Sequence, residues 1–471
     1  MTTVAVIGCT HAGTYATTSI LREHPDWKVD VFEKNDNISF LSCAIALWAG
    51  GHVSDPKRMF YSSPAKLEEM GATMHMRTRV DSVDVRGKSL KATDLASGEE
   101  SAYRFDKLVI TTGSSPAKPS IQGLSEELEG GRATLCKDYA DAQRIVKRTE
   151  DIKSVIVVGA GYVGSELAEQ LSTRGIKTTL IDALPHVLDN NFDKSVTDQA
   201  EQAFRDHDVT LAMGQKVVAF RSDVGSDGVD GHGITVVTEL GEYTADMAIV
   251  GVGFVPQTSL VSSQVRTLGY GAIIVDEYMR ASTPDNDVLD YVFAAGDSAT
   301  VRFNPTDSDE YRPLASNAIR EASIIGKNIE RPTVAYAGTQ ATSGVQLYDL
   351  SMASSGITED LARRRHIDAD CATIVEDYRP DFMLTTTPVT AKLIWEKKTN
   401  RILGAQFAAR HDISLAADLI SVAIQAKFTI DDLAGTDMLF QPNFTQPINF
   451  VSSLAMTAVA QRDGELQTGK R

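Results

Sequence analysis

Two glycine-punctuated segments of the chain have the form that cradles a pyrophosphate. In Gly159-Ala160-Gly161-Tyr162-Val163-Gly164 the first glycine permits a tight turn and the second lets a phosphate approach the backbone. The third lets the following helix pack close to its strand, and the helix N-terminus favours the phosphate charge. Asp182 stands 18 residues beyond Gly164, where a carboxylate suits a ribose diol and repels the 2′-phosphate of NADP. The earlier segment, Gly8-Cys9-Thr10-His11-Ala12-Gly13, has Thr10 in place of the middle glycine, and Glu33 follows Gly13 by 20 residues. Beside the complete second unit it implies two dinucleotide sites, one for FAD and one for a nicotinamide nucleotide, with hydride passing between them.

The third candidate is sulfur. Cys43 lies in Ile38-Ser39-Phe40-Leu41-Ser42-Cys43-Ala44-Ile45, where a helix is expected to start. A helix N-terminus lowers a thiol pKa and favours thiolate; the alternative is a small buried hydrophobe. The other three cysteines, Cys9, Cys136 and Cys371, read as structural. No two have C-x-x-C or zinc-ligand spacing, so no metal site is expected. His366, Asp368, Asp370 and Cys371, beside Arg363-Arg364-Arg365, read as a solvated charged loop.

These residues need elements to hold them. The spacing predicts a strand over residues 2–7, a helix over 14–23 and a strand over 28–32. The same grammar returns as a strand at 154–158, a helix at 165–173 and a strand at 177–181. Residues 107–114 and 291–297 are two further strand-plus-glycine segments, and 209–253 reads as β-rich with an exposed loop over 222–233. A hairpin at 391–395 and 402–407 and an amphipathic helix over 414–427 follow. The expected fold is α/β: two Rossmann-like dinucleotide-binding domains, for FAD and NAD, plus an α+β C-terminal dimerisation domain. Residues 1–118 and 256–330 form the FAD domain, 119–255 the NAD domain and 331–471 the C-terminal domain.

Composition narrows the partners. The 471 residues are 42% hydrophobic and 23% charged, an ordinary globular balance for several domains. A net charge of −17 argues against nucleic acid or an anionic membrane. No apolar run reaches about 18 residues, and the N-terminus lacks a basic n-region and cleavage site. With few cysteines, this points to the cytoplasm.

The chain resembles the pyridine-nucleotide–disulfide oxidoreductases, in their single-cysteine branch, over nearly its whole length. The resemblance rests on both glycine segments, the latter through Glu166, on Ala295-Gly296-Asp297 and on Gly338-Thr339-Gln340-Ala341-Thr342-Ser343-Gly344. Ser39-Phe40-Leu41-Ser42-Cys43 is its most specific string. It implies that Cys43 cycles between thiolate and sulfenic acid beside the flavin, faced by His11. It places Glu33 on the FAD ribose, with Gly8, Ala12, Gly13 and Lys34 at further FAD positions. Asp297 would meet the ribityl chain, with Thr111, Thr112, Gly113, Ser114, Lys137, Ala299 and Ala315 at other flavin contacts. Tyr162 would cover the flavin until NADH displaces it. Gly159, Gly161, Val163, Gly164, Glu166, Asp182 and Gly253 would serve NADH.

The implied reaction takes two NADH and one molecular oxygen to two NAD and two waters. Cys43 would accept one oxygen atom of a bound peroxide, and a second NADH would restore it. The same residues would serve an NADH peroxidase or a coenzyme A-disulfide reductase, although the latter usually has a C-terminal tyrosine and this chain has Phe440-Gln441-Pro442-Asn443-Phe444. The non-enzymatic alternative is a flavin-bound signalling protein. The C-terminal domain implies a homodimer. Two positions depart from the family pattern: Ala44 follows the cysteine in place of glycine, which could narrow the oxygen pocket, and Asn191 stands near the NAD adenosine in place of tyrosine.

Overall fold

The computed structural model describes residues 1–224 and 230–465. Its fold is α/β, with two Rossmann-type sheets and a separate antiparallel sheet. The first sheet has six strands in the order Arg280–Ser282, Val288–Ala294, Lys107–Ile110, Thr3–Ile7, Lys28–Glu33, Ala72–Met76. Thr3–Ile7 runs parallel to both neighbours, with Val4 opposite Val29 and Lys107. Val4 and Val6 are wholly buried, as a strand covered on both faces requires. The helix His11–Glu23 crosses one face and packs on the helix Ala315–Asn328. The two meet closely: the Gly326 amide donates to Ser19 Oγ at 3.1 Å, and a methyl on Gly326 would lie 2.4 Å from the Ser19 backbone.

The second sheet is all parallel, in the order Thr210–Ala212, Lys177–Ile181, Ser154–Val158, Met247–Val250, Ala133–Leu135. It is inserted into the first unit. The chain leaves through Ser114–Pro116 and returns through Phe254–Pro256, and these two strands pair antiparallel. The third sheet is antiparallel, in the order Ser343–Leu347, Leu350–Gly356, Ile402–Ala409, Pro388–Glu396, Ala369–Asp377. The expected hairpin is its centre, and the expected amphipathic helix is Ser414–Gln425, with Ile420 and Ile424 buried and Leu415 and Val422 exposed.

Several local expectations need correction. Both nucleotide helices begin one turn early, at His11 and Tyr162, because the glycine turn feeds straight into the helix. The loop expected over 222–233 is shorter: strands continue to Val224 and restart at Asp230, and its middle, 225–229, lies outside the described residues. Asp370 and Cys371 are strand residues opposite Trp395 and Ile394; only the segment around His366 is a turn.

Candidate active site

Strand order puts both glycine turns at the carboxyl ends of their sheets, where open α/β sheets place ligands. The turns are built alike. Gly8 N donates to Phe32 O at 2.8 Å and Gly159 N to Ile181 O at 2.7 Å. The next amide in each turn is held by the acid of the following strand: Cys9 N donates to Glu33 Oε2 at 2.8 Å, and Ala160 N to Asp182 Oδ2 at 2.5 Å. A methyl on Gly13 would sit 1.9 Å from Gly8 O, and one on Gly164 would sit 1.8 Å from Gly159 O. Around Gly161 there is no atom within 4 Å of such a methyl.

One cavity of about 1890 Å³ connects the two turns. Its lining includes Gly8, His11, Ala12, Glu33, Lys34, Cys43, Lys137, Asp297 and Ala315, together with the 111–114 segment. On the other side it includes Gly159, Gly161, Tyr162, Val163, Asp182, Asn191 and Gly253. Gly13, Gly164, Glu166 and Ala299 do not line it: the two glycines lie behind their turns, and Ala299 is core. Ala44 also lies off the cavity, packed against the cluster around Phe40 and Ile45, so its methyl does not narrow this space.

The chemistry of the lining fits two dinucleotides. The helices starting at His11, Tyr162 and Ala315 all open onto the cavity without a side-chain cap, so their first amides are available to phosphate. At the junction of the two units, Asp297 Oδ2 accepts Ser114 Oγ at 2.6 Å and Lys137 Nζ at 2.9 Å. Thr111 Oγ1 donates to Gly8 O at 2.9 Å. The Tyr162 hydroxyl lies 2.8 Å from Ser343 Oγ, joining the second unit to the C-terminal sheet.

Cys43 differs from the expectation of a thiolate at a helix start. It lies in a single 3₁₀ turn, Ser42–Ala44, and the α-helix after it, Ile45–Ala49, is only five residues long. Surrounding protein pushes the thiol pKa above its usual value, and the charge of Glu166 adds to this; a backbone hydrogen bond opposes it. Burial raises Glu166 itself to about 7, with Glu169 contributing. Burial also pushes Cys9 and Cys136 up to about 12, so both are inert thiols. His11 is held below its ordinary pKa by burial, with Asp297 opposing and Lys137 reinforcing the shift.

Two residues escaped the sequence reading. Tyr61 meets His11, its hydroxyl 3.0 Å from Nδ1 and the rings stacked at 5.6 Å. Glu321, buried on the helix Ala315–Asn328, accepts Gly296 N at 2.7 Å beside Asp297. An acid among Ala318, Ala322 and Ile325 was the available signal for Glu321; Tyr61 had none. Ligand atoms of His186, Asp198 and Glu201 also approach within 4.8 Å of one another. They are already engaged, His186 with Glu201 at 2.9 Å and Glu201 with Arg205 at 2.7 Å, while Lys194 holds Asp198 at 2.5 Å.

Paired nucleotide turns around one cavity mark a dinucleotide-dependent oxidoreductase. The chain belongs to the pyridine nucleotide-disulphide oxidoreductase family, whose model matches residues 2–322; the family's dimerisation domain matches 342–449. It is 42% identical over 456 residues to an NADH oxidase of Enterococcus faecalis, covering 97% of this chain and 99% of that one. It is 36% identical over 470 residues to an NADH oxidase of Streptococcus pyogenes, covering 97% and 100%. Its fold superimposes on the water-forming NADH oxidase from Lactobacillus brevis bound to NADH with a TM-score of 0.94, at 44% identity over 99% of this chain and 100% of that one.

Proposed function

We propose that this protein is an FAD-dependent NADH oxidase that reduces oxygen to water, taking two NADH and two protons per oxygen to two NAD and two waters. The observation that carries the proposal is the single cavity shared by both nucleotide turns, Cys43 and His11. The oxidase names of relatives and of the structural neighbour support it over a peroxidase.

FAD, when bound, accepts hydride from NADH and passes electrons to oxygen. Gly8, the amides at the start of the His11–Glu23 helix, Glu33, Asp297 and Lys137 would hold it. Gly159, Gly161 and the start of the Tyr162–Thr173 helix would hold NADH, with Asp182 selecting it over NADPH. Cys43 supplies the sulfur chemistry. Its thiolate attacks one oxygen of hydrogen peroxide, the O–O bond breaks, and sulfur is oxidised by two electrons to sulfenic acid while hydroxide leaves and is protonated to water. Two electrons from a second NADH and one proton return the sulfenic acid to thiolate and release the second water. His11 supports the thiolate.

We propose that the protein works in the cytoplasm as a homodimer. No helix among the described residues is long and apolar enough to cross a membrane. The match to the dimerisation domain, with Leu439, Phe444 and Val422 exposed on that region, supports association through the C-terminal domain. The deciding experiment is the NADH:O₂ stoichiometry with and without catalase. Two NADH per oxygen, insensitive to catalase, is expected; one NADH per oxygen with peroxide accumulating would overturn the water-forming assignment.

A further inference from the structure

We propose that Lys392 and Gln406 of the C-terminal sheet are positioning residues for NADH. Through Asp193 they clamp the segment 188–193 to the helix Glu359–Arg364, where both wall the nicotinamide-nucleotide side of the cavity. This rests on the reading of the Gly159 turn as the NADH site.

Asp193 belongs to the inserted unit, yet its carboxylate is held entirely by the C-terminal domain. Oδ2 accepts Glu359 N at 2.9 Å and Gln406 Nε2 at 2.7 Å, and lies 3.0 Å from Lys392 Nζ. Oδ1 accepts Asp360 N at 3.1 Å. The Asp193 amide donates to Gln406 Oε1 at 2.7 Å, so Gln406 grips both its side chain and its backbone. Lys392 Nζ also reaches Glu359 Oε2 at 2.5 Å. Lys392 and Gln406 stand opposite each other on the paired strands Pro388–Glu396 and Ile402–Ala409. Lys392 is 5% exposed, Asp193 8% and Gln406 0%. A charge buried this far persists only when it is paired. Burial pulls the lysine toward neutrality, but Asp193 and Glu359 outweigh it and hold its pKa above the usual value.

Lys392, Gln406 and Asp193 do not line the cavity, but the groups they hold do. Leu188, Asp189, Asn190 and Asn191 lead up to Asp193, and Thr358 and Leu361 belong to the clamped helix and its cap; all six line the cavity. The far end of the segment is tied to the glycine turn. Leu188 N donates to Ala160 O at 2.8 Å, and Phe192 packs edge-on to Tyr162 at 6.4 Å. The helix is six residues long, too short for its own hydrogen bonds to fix it. Asp193 and Thr358 accept its first three amides. NADH therefore meets a wall built before it arrives. Removing the ammonium leaves the carboxylates of Asp193 and Glu359 facing one gap, and their repulsion parts the segment from the helix. A wall that holds its binding arrangement about a tenth of the time weakens nucleotide binding about tenfold, while bound nucleotide meets the flavin as before.

The test is NAD binding by titration calorimetry, beside kcat and KM for NADH, in the FAD-loaded enzyme. Wild type is compared with Lys392→Met, Lys392→Arg, Asp193→Asn and the double variant Asp193→Asn/Lys392→Met. Lys392→Met should weaken NAD binding and raise KM for NADH by roughly tenfold, with kcat within about twofold and flavin content unchanged. Hydrogen exchange in peptides covering 188–193 and 358–364 should quicken in this variant before any nucleotide is added. Lys392→Arg keeps the charge and should stay within about threefold of wild type. Asp193→Asn leaves Lys392 paired with Glu359 and should weaken binding by roughly threefold; it carries the test should Lys392→Met not fold. The double variant should match Asp193→Asn rather than Lys392→Met, because the uncompensated carboxylate is gone. Unchanged NAD affinity in Lys392→Met, or in Asp193→Asn where only that variant folds, overturns the clamp. So does a loss of kcat and flavin without a change in affinity. A wild type that binds no NAD, and whose flavin NADH does not reduce, overturns the reading of the Gly159 turn as well.

Discussion

The Lys137 ammonium lies 2.9 Å from Asp297 Oδ2, and this pair ties the inserted nucleotide unit to the end of the first sheet. Ser114 donates to the same oxygen, and Phe254 offers its ring to the ammonium at 4.1 Å. The two side chains are 25% and 18% exposed, so solvent screens the pair only in part. Lys137→Met is expected to cost about 1 kcal/mol of stability, or roughly 2–4 °C in Tm, and to speed loss of FAD on dilution. Calorimetry and flavin release measure both; unchanged values would mean the pair is incidental.

The fingerprint glycines should separate folding from binding. Gly164→Ala drives a methyl into Gly159 O at 1.8 Å and should destabilise the inserted sheet by about 2–3 kcal/mol, as overpacking does. Gly161→Ala meets no protein atom within 4 Å, so Tm should hold while KM for NADH rises. If both variants lose stability alike, Gly161 is a structural glycine.

Cys43→Ser should keep FAD and continue to oxidise NADH, because serine has no stable oxidised state and does not ionise near neutral pH. Consumption should move from two NADH per oxygen toward one, with hydrogen peroxide accumulating. The assay is peroxide yield per NADH at one oxygen tension. A variant that still makes only water would remove Cys43 from the peroxide-splitting step.

Asp182 has two tasks, and a single substitution should expose both. Its carboxylate braces the Ala160 and Leu184 amides, at 2.5 and 2.8 Å, and lines the cavity at the strand end. Asp182→Asn retains an acceptor for one amide and removes the charge. The preference for NADH over NADPH should fall at least about tenfold, chiefly through a lower KM for NADPH. Equal kcat/KM for both nucleotides in the wild type would refute the role outright.

Glu321 sets a pH dependence of stability. Burial raises its carboxyl to about 8 from the ordinary 4.5; the Asp297 charge adds to the shift, and the Gly296 amide opposes it. Between those two values the native state holds more protons than the unfolded chain. The contribution of Glu321 is therefore full below about pH 4.5 and is lost as pH rises through about 8. Glu321→Gln keeps an acceptor for Gly296 N, so it should match wild-type Tm near pH 5 and exceed it near pH 9. Parallel Tm curves across that range would show that Glu321 does not titrate with folding.

Residues whose role is local were legible from the chain. A third glycine at a fixed spacing announces the contact of Gly13 with Gly8 and of Gly164 with Gly159, because that geometry is imposed within six residues. Glu33 and Asp182 were legible for a related reason: one strand–helix–strand unit carries each acid back to its own turn. Tyr61 lies 50 residues from His11, and Lys137 lies 160 from Asp297; only the assembled sheets bring them together. Cys43 was singled out by its string and lines the cavity, but the helix start expected to lower its thiol pKa is not there. Helix-start logic assumes a long dipole, whereas the fold supplies one 3₁₀ turn and a five-residue helix, with the charge of Glu166 acting against ionisation of a thiol on an exposed residue.

The nesting of one sheet inside the other also orders the protein's birth. Lys107–Ile110 is laid beside Thr3–Ile7 early, but its other neighbour, Val288–Ala294, is among the late strands. All five strands of the inserted sheet, from Ala133–Leu135 to Met247–Val250, leave the ribosome in that interval. The guest therefore can mature before its host, while Leu108, Val109 and Ile110, all buried in the finished protein, wait on an open edge of the kind that invites misassembly. The pairing of Phe254–Pro256 with Ser114–Pro116 shortens the search that follows. It returns the growing chain to the point of departure, next to the edge that Val288–Ala294 must seal.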